Sequence, residues 1–265
     1  MADYDLLLQL RNVPPARIRA LPAGKLALVS DEGLAGVSIP IAVYLLQTAG
    51  ARFLIDCGLG PRWRGTGVTE APLDEGPRPG LRYRPVLDGP SLAAQLASSD
   101  FNPDRVVCTH LHLDHAGGAR ELGLAVETSE AELDAAFRPG AERDGYAQAD
   151  LEALPLKVIE LRADQPVGPF PASRELAPGV LAVDTSGHTP GSISLLACLG
   201  PWALICGDAV YPRLDETDSP AYVGMLRIRR LLQDWPGMSI LPGHDTSALR
   251  VSAGGAWMGP TTVSA

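Results

Sequence analysis

Short apolar runs separated by turn residues dominate the chain. Ile39 to Gln47 and Ala51 to Cys57 are two such runs joined by Thr48-Ala49-Gly50, the signature of a β-hairpin. Ser192 to Cys198 and Trp202 to Cys206 form a second pair around Leu199-Gly200-Pro201. Tyr4 to Leu10, Lys25 to Ser30, Arg105 to Thr109, residues 156–161, residues 180–184 and Met238 to Leu241 predict further strands. Helical signals are fewer. Ser91 can cap a helix through about Ser98, and Tyr222 to Trp235 has helical spacing that stops at Pro236-Gly237. Ser129 and Glu132 make a capping box for a helix reaching about Phe137. Residues 60–90 are rich in Gly, Pro and Arg without any period, which predicts a long loop of the lid or binding type. Many strands with helices at both ends of the pattern predict stacked sheets covered by helices.

Composition narrows the function. The chain has 265 residues, of which 46% are hydrophobic and 20% charged, enough for a sizeable core and read here as a single domain over residues 1–265. Its 28 Gly and 24 Pro imply many turns, and their lack of a three-residue period excludes collagen. A formal charge of −9 makes the chain a poor partner for nucleic acid. No apolar run is long enough to span a bilayer, and no membrane contact is expected. The opening Met1-Ala2-Asp3-Tyr4-Asp5 is acidic where an export signal is basic, so a cytoplasmic location is expected. Cys57, Cys108, Cys198 and Cys206 form no CxxC pair, lie in apolar segments, and read as reduced core residues.

The five histidines carry the chemistry. Three stand in Thr109-His110-Leu111-His112-Leu113-Asp114-His115, one in Gly187-His188-Thr189-Pro190-Gly191, and one in Pro242-Gly243-His244-Asp245. Residues two apart on an extended chain face one side, so His110 and His112 aim at one point and Asp114 follows in the same spacing. By that spacing His115 turns away at the start of the next turn. Imidazoles crowded with a carboxylate suit a borderline cation such as Zn²⁺, which keeps the rings neutral. His188, His244 and Asp208 each end an apolar strand, where side chains converge. Asp208 is placed to bridge two metals. Asp56 ends another strand and is either a turn carboxylate or a group that orients a metal ligand.

HxHxDH, GHTPG, GD and PGH, in that order from about Ile39 to Asp245, resemble the metallo-β-lactamase superfamily. The resemblance implies an αββα sandwich: two mixed β-sheets with helices on the outer faces. It also implies two divalent cations, Zn or else Fe, Mn or Co. His110, His112 and His188 would hold the first, and Asp114, His115 and His244 the second, with Asp208 shared. Within the superfamily, the true β-lactamases of the main class place Cys where Asp208 stands, and only 21 residues follow His244, too few for the helical domain of glyoxalase II. RNA-processing members are basic and larger, and flavodiiron members have Glu where His112 stands. His110 to Gly118, the closing Pro242-Gly243-His244-Asp245 and Tyr211 are similar to N-acyl-homoserine lactonases.

That likeness implies a quorum-quenching hydrolase. A hydroxide shared by the two cations would open the lactone ring of an N-acyl-homoserine lactone, the partner being a small molecule. Tyr211 would stabilise the oxyanion, and Asp114, also a ligand, would pass a proton to the leaving alkoxide. A packed aromatic near a turn is the other reading of Tyr211. Hydrolases of thioesters, phosphoesters or organophosphates on the same site, an iron-dependent oxidoreductase and a non-catalytic metal-binding protein remain alternatives.

Overall fold

The computed structural model describes residues 4–29, 38–64, 82–152, 154–210, 223–244, 246–251 and 256–258. One sheet contains β1 (Arg17–Val29), β2 (Ser38–Gln47), β3 (Arg52–Ile55), β4 (Arg82–Val86), β5 (Arg105–Val107), β6 (Val126–Ser129) and β7 (Leu156–Ile159). Their order across the sheet is β4-β1-β2-β3-β5-β6-β7. The pairs from β4 to β3 are antiparallel, and those from β3 through β7 are parallel. The other sheet contains β8 (Ser173–Ala177), β9 (Val180–Asp184), β10 (Ile193–Cys198), β11 (Trp202–Gly207) and β12 (Ser239–Pro242), in the order β12-β11-β10-β9-β8. Only the β11–β12 pair is parallel in it.

The side chains of each central strand divide between two cores. Ala42, Tyr44 and Leu46 of β2 meet Ala182 of β9 and Ile193 and Leu195 of β10 between the sheets. Ile41, Val43 and Leu45 point the other way, onto α2 (Leu92–Ala97), α3 (Leu113–Ala116), α4 (Ala119–Leu122), α5 (Glu130–Ala136) and α6 (Gln148–Leu151). Leu181, Leu196 and Leu204 face outward from the second sheet onto α1 (Asp5–Gln9) and α7 (Val223–Asp234). Strands buried on both faces read as unbroken apolar runs, which is why the two hairpins were plain in the sequence. This is the expected four-layer αββα arrangement. Among the described residues no helix is long and apolar enough to cross a membrane.

Three expectations need correction. Tyr4 to Leu10 forms α1 and a following 3₁₀ turn, not a strand. Its leucines favour a helix, Asp5 suits the first turn, and Leu7 alone of the α1 residues is buried. Residues 60–90 are not wholly loop: Pro61–Trp63 is a 3₁₀ turn and β4 pairs with β1, while 65–81 lie outside the described residues. The Ser129–Glu132 box is half present. Ser129 Oγ accepts from Glu132 N at 3.2 Å, but the Glu132 carboxylate reaches away from its own helix.

Candidate metal centre

Every predicted metal-binding residue follows the C-terminal end of a strand, where chain leaves the sheet and side chains can meet. His110 follows β5, and the backbone then starts α3 at Leu113, with His112 as the residue before the first turn. The helical turn, not continued extended chain, sets the directions of Asp114 and His115. His115 does leave the side of His112, but it turns into the site: its ring centroid is 4.0 Å from that of His110. His188 follows β9, Asp208 follows β11 and His244 follows β12. The two sheets are joined at this edge by the Ile193 amide, which donates to the Thr109 carbonyl at 2.9 Å.

Three overlapping trios of donor atoms result: His110, His112 and His188; His110, His115 and Asp208; and Asp114, His115 and His244, with the atoms of each within 4.8 Å of one another. His188 Nε2 lies 3.1 Å from His112 Nδ1. Asp208 stands between the two ends. Its Oδ1 is 3.1 Å from His115 Nε2, and its Oδ2 is 3.6 Å from His188 Nε2 and 3.3 Å from His244 Nε2. Asp114 Oδ2 is 3.3 Å from His244 Nε2 and 3.8 Å from His115 Nε2. All seven sequence-predicted residues are thus brought together. The eighth predicted residue, Tyr211, lies outside the described residues.

The arrangement fits cations. The Nε2 atom of His110 is buried without a hydrogen-bond partner. Two rings are locked from behind, as metal-ligating histidines usually are. His115 Nδ1 sits 2.9 Å from Asp56 Oδ2, and His244 Nδ1 sits 2.9 Å from the Pro40 carbonyl. Both partners only accept, so both Nδ1 atoms carry hydrogen and Nε2 is the atom each ring turns toward the site. A side chain at Gly243 would crowd His115 and Asp208, since a Cβ there would stand 2.7 Å from His115 Cε1 and 3.0 Å from Asp208 Oδ1.

The two ends differ electrostatically. Burial pushes His110 well below its ordinary pKa, and the neighbouring rings add to this. Burial likewise lowers His112 to about 4. His244 is raised to about 10, because Asp208 and Asp114 outweigh the burial that would lower it. His115 is raised for the same reason. Asp208 and Asp114 are lowered, as His244 and His115 outweigh burial. One end therefore offers neutral lone pairs and the other attracts positive charge.

Asp56 faces His115 as well as its own turn. Its Oδ1 accepts from the Thr109 amide at 2.7 Å while Oδ2 faces His115. It does so with φ 61°, the sole positive-φ non-glycine among the described residues. The sequence reading missed three neighbours. The Pro40 carbonyl has no side-chain signal, Tyr146 packs edge-on against His112 with centroids 4.9 Å apart, and Glu132 reads in the sequence as part of a cap.

Residues 39–253 match the family model described as the metallo-beta-lactamase superfamily. The chain belongs to the metallo-beta-lactamase superfamily. Members of that superfamily typically bind divalent metals such as zinc, and this chain is a hydrolase of the superfamily. It is 31% identical over 232 residues to N-acyl homoserine lactonase AiiB of Rhizobium rhizogenes (strain K84 / ATCC BAA-868), covering 79% of this chain and 80% of that one. A solved N-acyl homoserine lactone hydrolase with N-hexanoyl-L-homoserine at its catalytic metal centre shares the superfamily fold, with a TM-score of 0.67 at 22% identity over 91% of this chain and 98% of that chain. The dizinc quorum-quenching lactonase AidC shares it with a TM-score of 0.57 at 13% identity, over 88% of each chain.

Proposed function

We propose that this superfamily member is a dinuclear metal-dependent lactonase that opens the ring of N-acyl-homoserine lactones, a quorum-quenching activity. The observation that carries the reading is Asp208 standing between a three-histidine trio and an Asp-His-His trio, which suits one carboxylate shared by two cations. The lactonase names of the curated relatives supply the substrate class. In this reading His110, His112 and His188 hold one metal, Asp114, His115 and His244 hold the other, and zinc is the favoured ion. Bound divalent metals supply Lewis acidity, which polarises a carbonyl and makes water a nucleophile near neutral pH. Asp56 and the Pro40 carbonyl hold the rings of His115 and His244 in the required tautomer. Asp114 takes up the proton released by the attacking water and passes it to the leaving alkoxide, which a lactone needs because an alkoxide leaves poorly. The Tyr211 hydroxyl donates to the developing oxyanion. The enzyme acts on a small molecule, and we place it in the cytoplasm, in keeping with its four free, buried cysteines.

The test is proton release by purified, metal-analysed protein on a panel of acyl-homoserine lactones, with thioesters and phosphotriesters alongside. Rapid lactone opening that is lost on chelation is the expected result. A fully metallated sample that turns over the comparison esters but no lactone would overturn the substrate assignment.

A further inference from the structure

Glu132 is a buried carboxylate for which the chemistry above has no task. It lies on the first turn of α5 with no solvent exposure. Its Oε1 accepts from the Leu111 amide at 2.9 Å. Its Oε2 accepts from the Thr189 hydroxyl at 2.6 Å and the Gly191 amide at 3.2 Å. Leu111 separates His110 from His112, and Thr189 follows His188. One carboxylate therefore ties together the two loops that carry the three-histidine trio. Ser129, at the cap of the same helix, adds a second tie by donating from Oγ to the Gly191 carbonyl at 2.6 Å. The loop is seated so closely that a Cβ on Gly191 would stand 2.1 Å from Glu132 N.

The chemistry of the partners explains why an acid stands here. All three are donors, and a carboxylate only accepts. An amide of the same shape keeps one oxygen. Wherever that oxygen points, its NH₂ faces either the Leu111 or the Gly191 amide, and a backbone N–H cannot reverse its role. A residue serving only as a helix cap would bond its own helix terminus, whereas these bonds all leave α5.

We propose that Glu132 is a positioning residue for the three-histidine metal site, setting the separation between the His110–His112 loop and the His188 loop. This rests on the reading that those histidines hold a metal.

The test compares wild type, Glu132→Gln and Glu127→Gln. Glu127 is a control: it is also buried, but its carboxylate pairs with Arg105 at 2.9 and 2.5 Å. Zinc affinity is measured by competition with a chromophoric chelator, and melting temperature on the metal-free proteins. Support for the proposal is a zinc affinity about 10–100-fold weaker in Glu132→Gln, with Glu127→Gln lowering the melting temperature and leaving affinity within about twofold. Cobalt-loaded Glu132→Gln is expected to show an altered ligand-field spectrum. Wild-type affinity in Glu132→Gln overturns the proposal. So do losses of affinity in both variants that simply follow their losses of melting temperature. If Glu132→Gln does not fold, Thr189→Val removes one of the three donors and is read in the same way, with a smaller loss of the same sign expected. Wild type that takes up no metal overturns the metal reading and this inference together. Tight wild-type binding with an indifferent Glu132→Gln overturns this inference alone.

Discussion

Asp56 holds the Thr109 amide with one oxygen and His115 Nδ1 with the other, at 2.7 and 2.9 Å. Asn at this position keeps one acceptor and turns the other into a donor. A backbone amide has no alternative, so the remaining oxygen goes to Thr109 and the NH₂ to His115. His115 then sheds its Nδ1 hydrogen and keeps the one on Nε2, which faces Asp208. In the metal-free protein, the charge-assisted hydrogen bonds from the Thr109 amide and His115 become neutral ones at about 1 kcal/mol each, or about 2 kcal/mol together. For a chain of this size that corresponds to about 4–8 °C in melting temperature. Metal binding meets a further cost. Nε2 must lose its hydrogen, which leaves a buried donor unpartnered at about 1–3 kcal/mol, or roughly 5–150-fold in affinity. The assay pairs thermal unfolding of metal-free Asp56→Asn with zinc competition at a fixed pH. A variant that melts lower yet binds zinc within threefold of wild type would refute the tautomer argument and return Asp56 to the role of a turn carboxylate.

Other consequences can be checked directly. His110→Ala and His188→Ala are expected to lose metal and hydrolase activity together, read by elemental analysis beside turnover. Tyr211→Phe is expected to keep its metal and lower kcat about 10²-fold; an unchanged rate would remove the hydroxyl from the mechanism. Phe53→Ala empties a fully buried position between the sheets, under the Arg105 guanidinium, and should cost about 3–5 kcal/mol in denaturant unfolding. Lys25 bonds Asp88 at 2.5 Å and holds its carboxyl below the usual 3.8. That lowered value means the pair's contribution is present above the ordinary carboxylate range and lost as pH falls below it. Because both groups are exposed, Asp88→Asn should shift stability by under about 1 kcal/mol at neutral pH and by nothing in strong acid.

What the sequence disclosed follows from how each element is buried. The β2–β3 and β10–β11 hairpins are covered on both faces and read as unbroken apolar runs. Strand β8 shows Arg174 and Glu175 to solvent at a sheet edge, and β6 is only four residues long, so neither gave a period to detect. In Tyr4 to Leu10 the leucines suit both periods, and docking of Leu7 against the second sheet decides for helix. The residues of the candidate metal centre were legible because histidines clustered with carboxylates are costly without a cation. The direction of His115 was not, since it depends on α3 starting one residue after His112. Glu132 was hidden by a sufficient local explanation: a capping box accounts for its position, and the partners that matter, Leu111, Thr189 and Gly191, are distant in sequence.

The divided origin of the site has a consequence for time. His110 to His115 follow a strand of one sheet, while His188, Asp208 and His244 follow strands of the other, and about half the chain lies between His110 and His244. Bringing such distant segments together carries the loop-closure cost of the whole topology, so the donor atoms assemble only after the sheets have docked. Contacts completed after the folding barrier slow unfolding and leave folding speed alone. Metal occupancy is therefore expected to act as a brake on escape from the native state: the loaded protein unfolds more slowly than the stripped one, while both refold at the same rate.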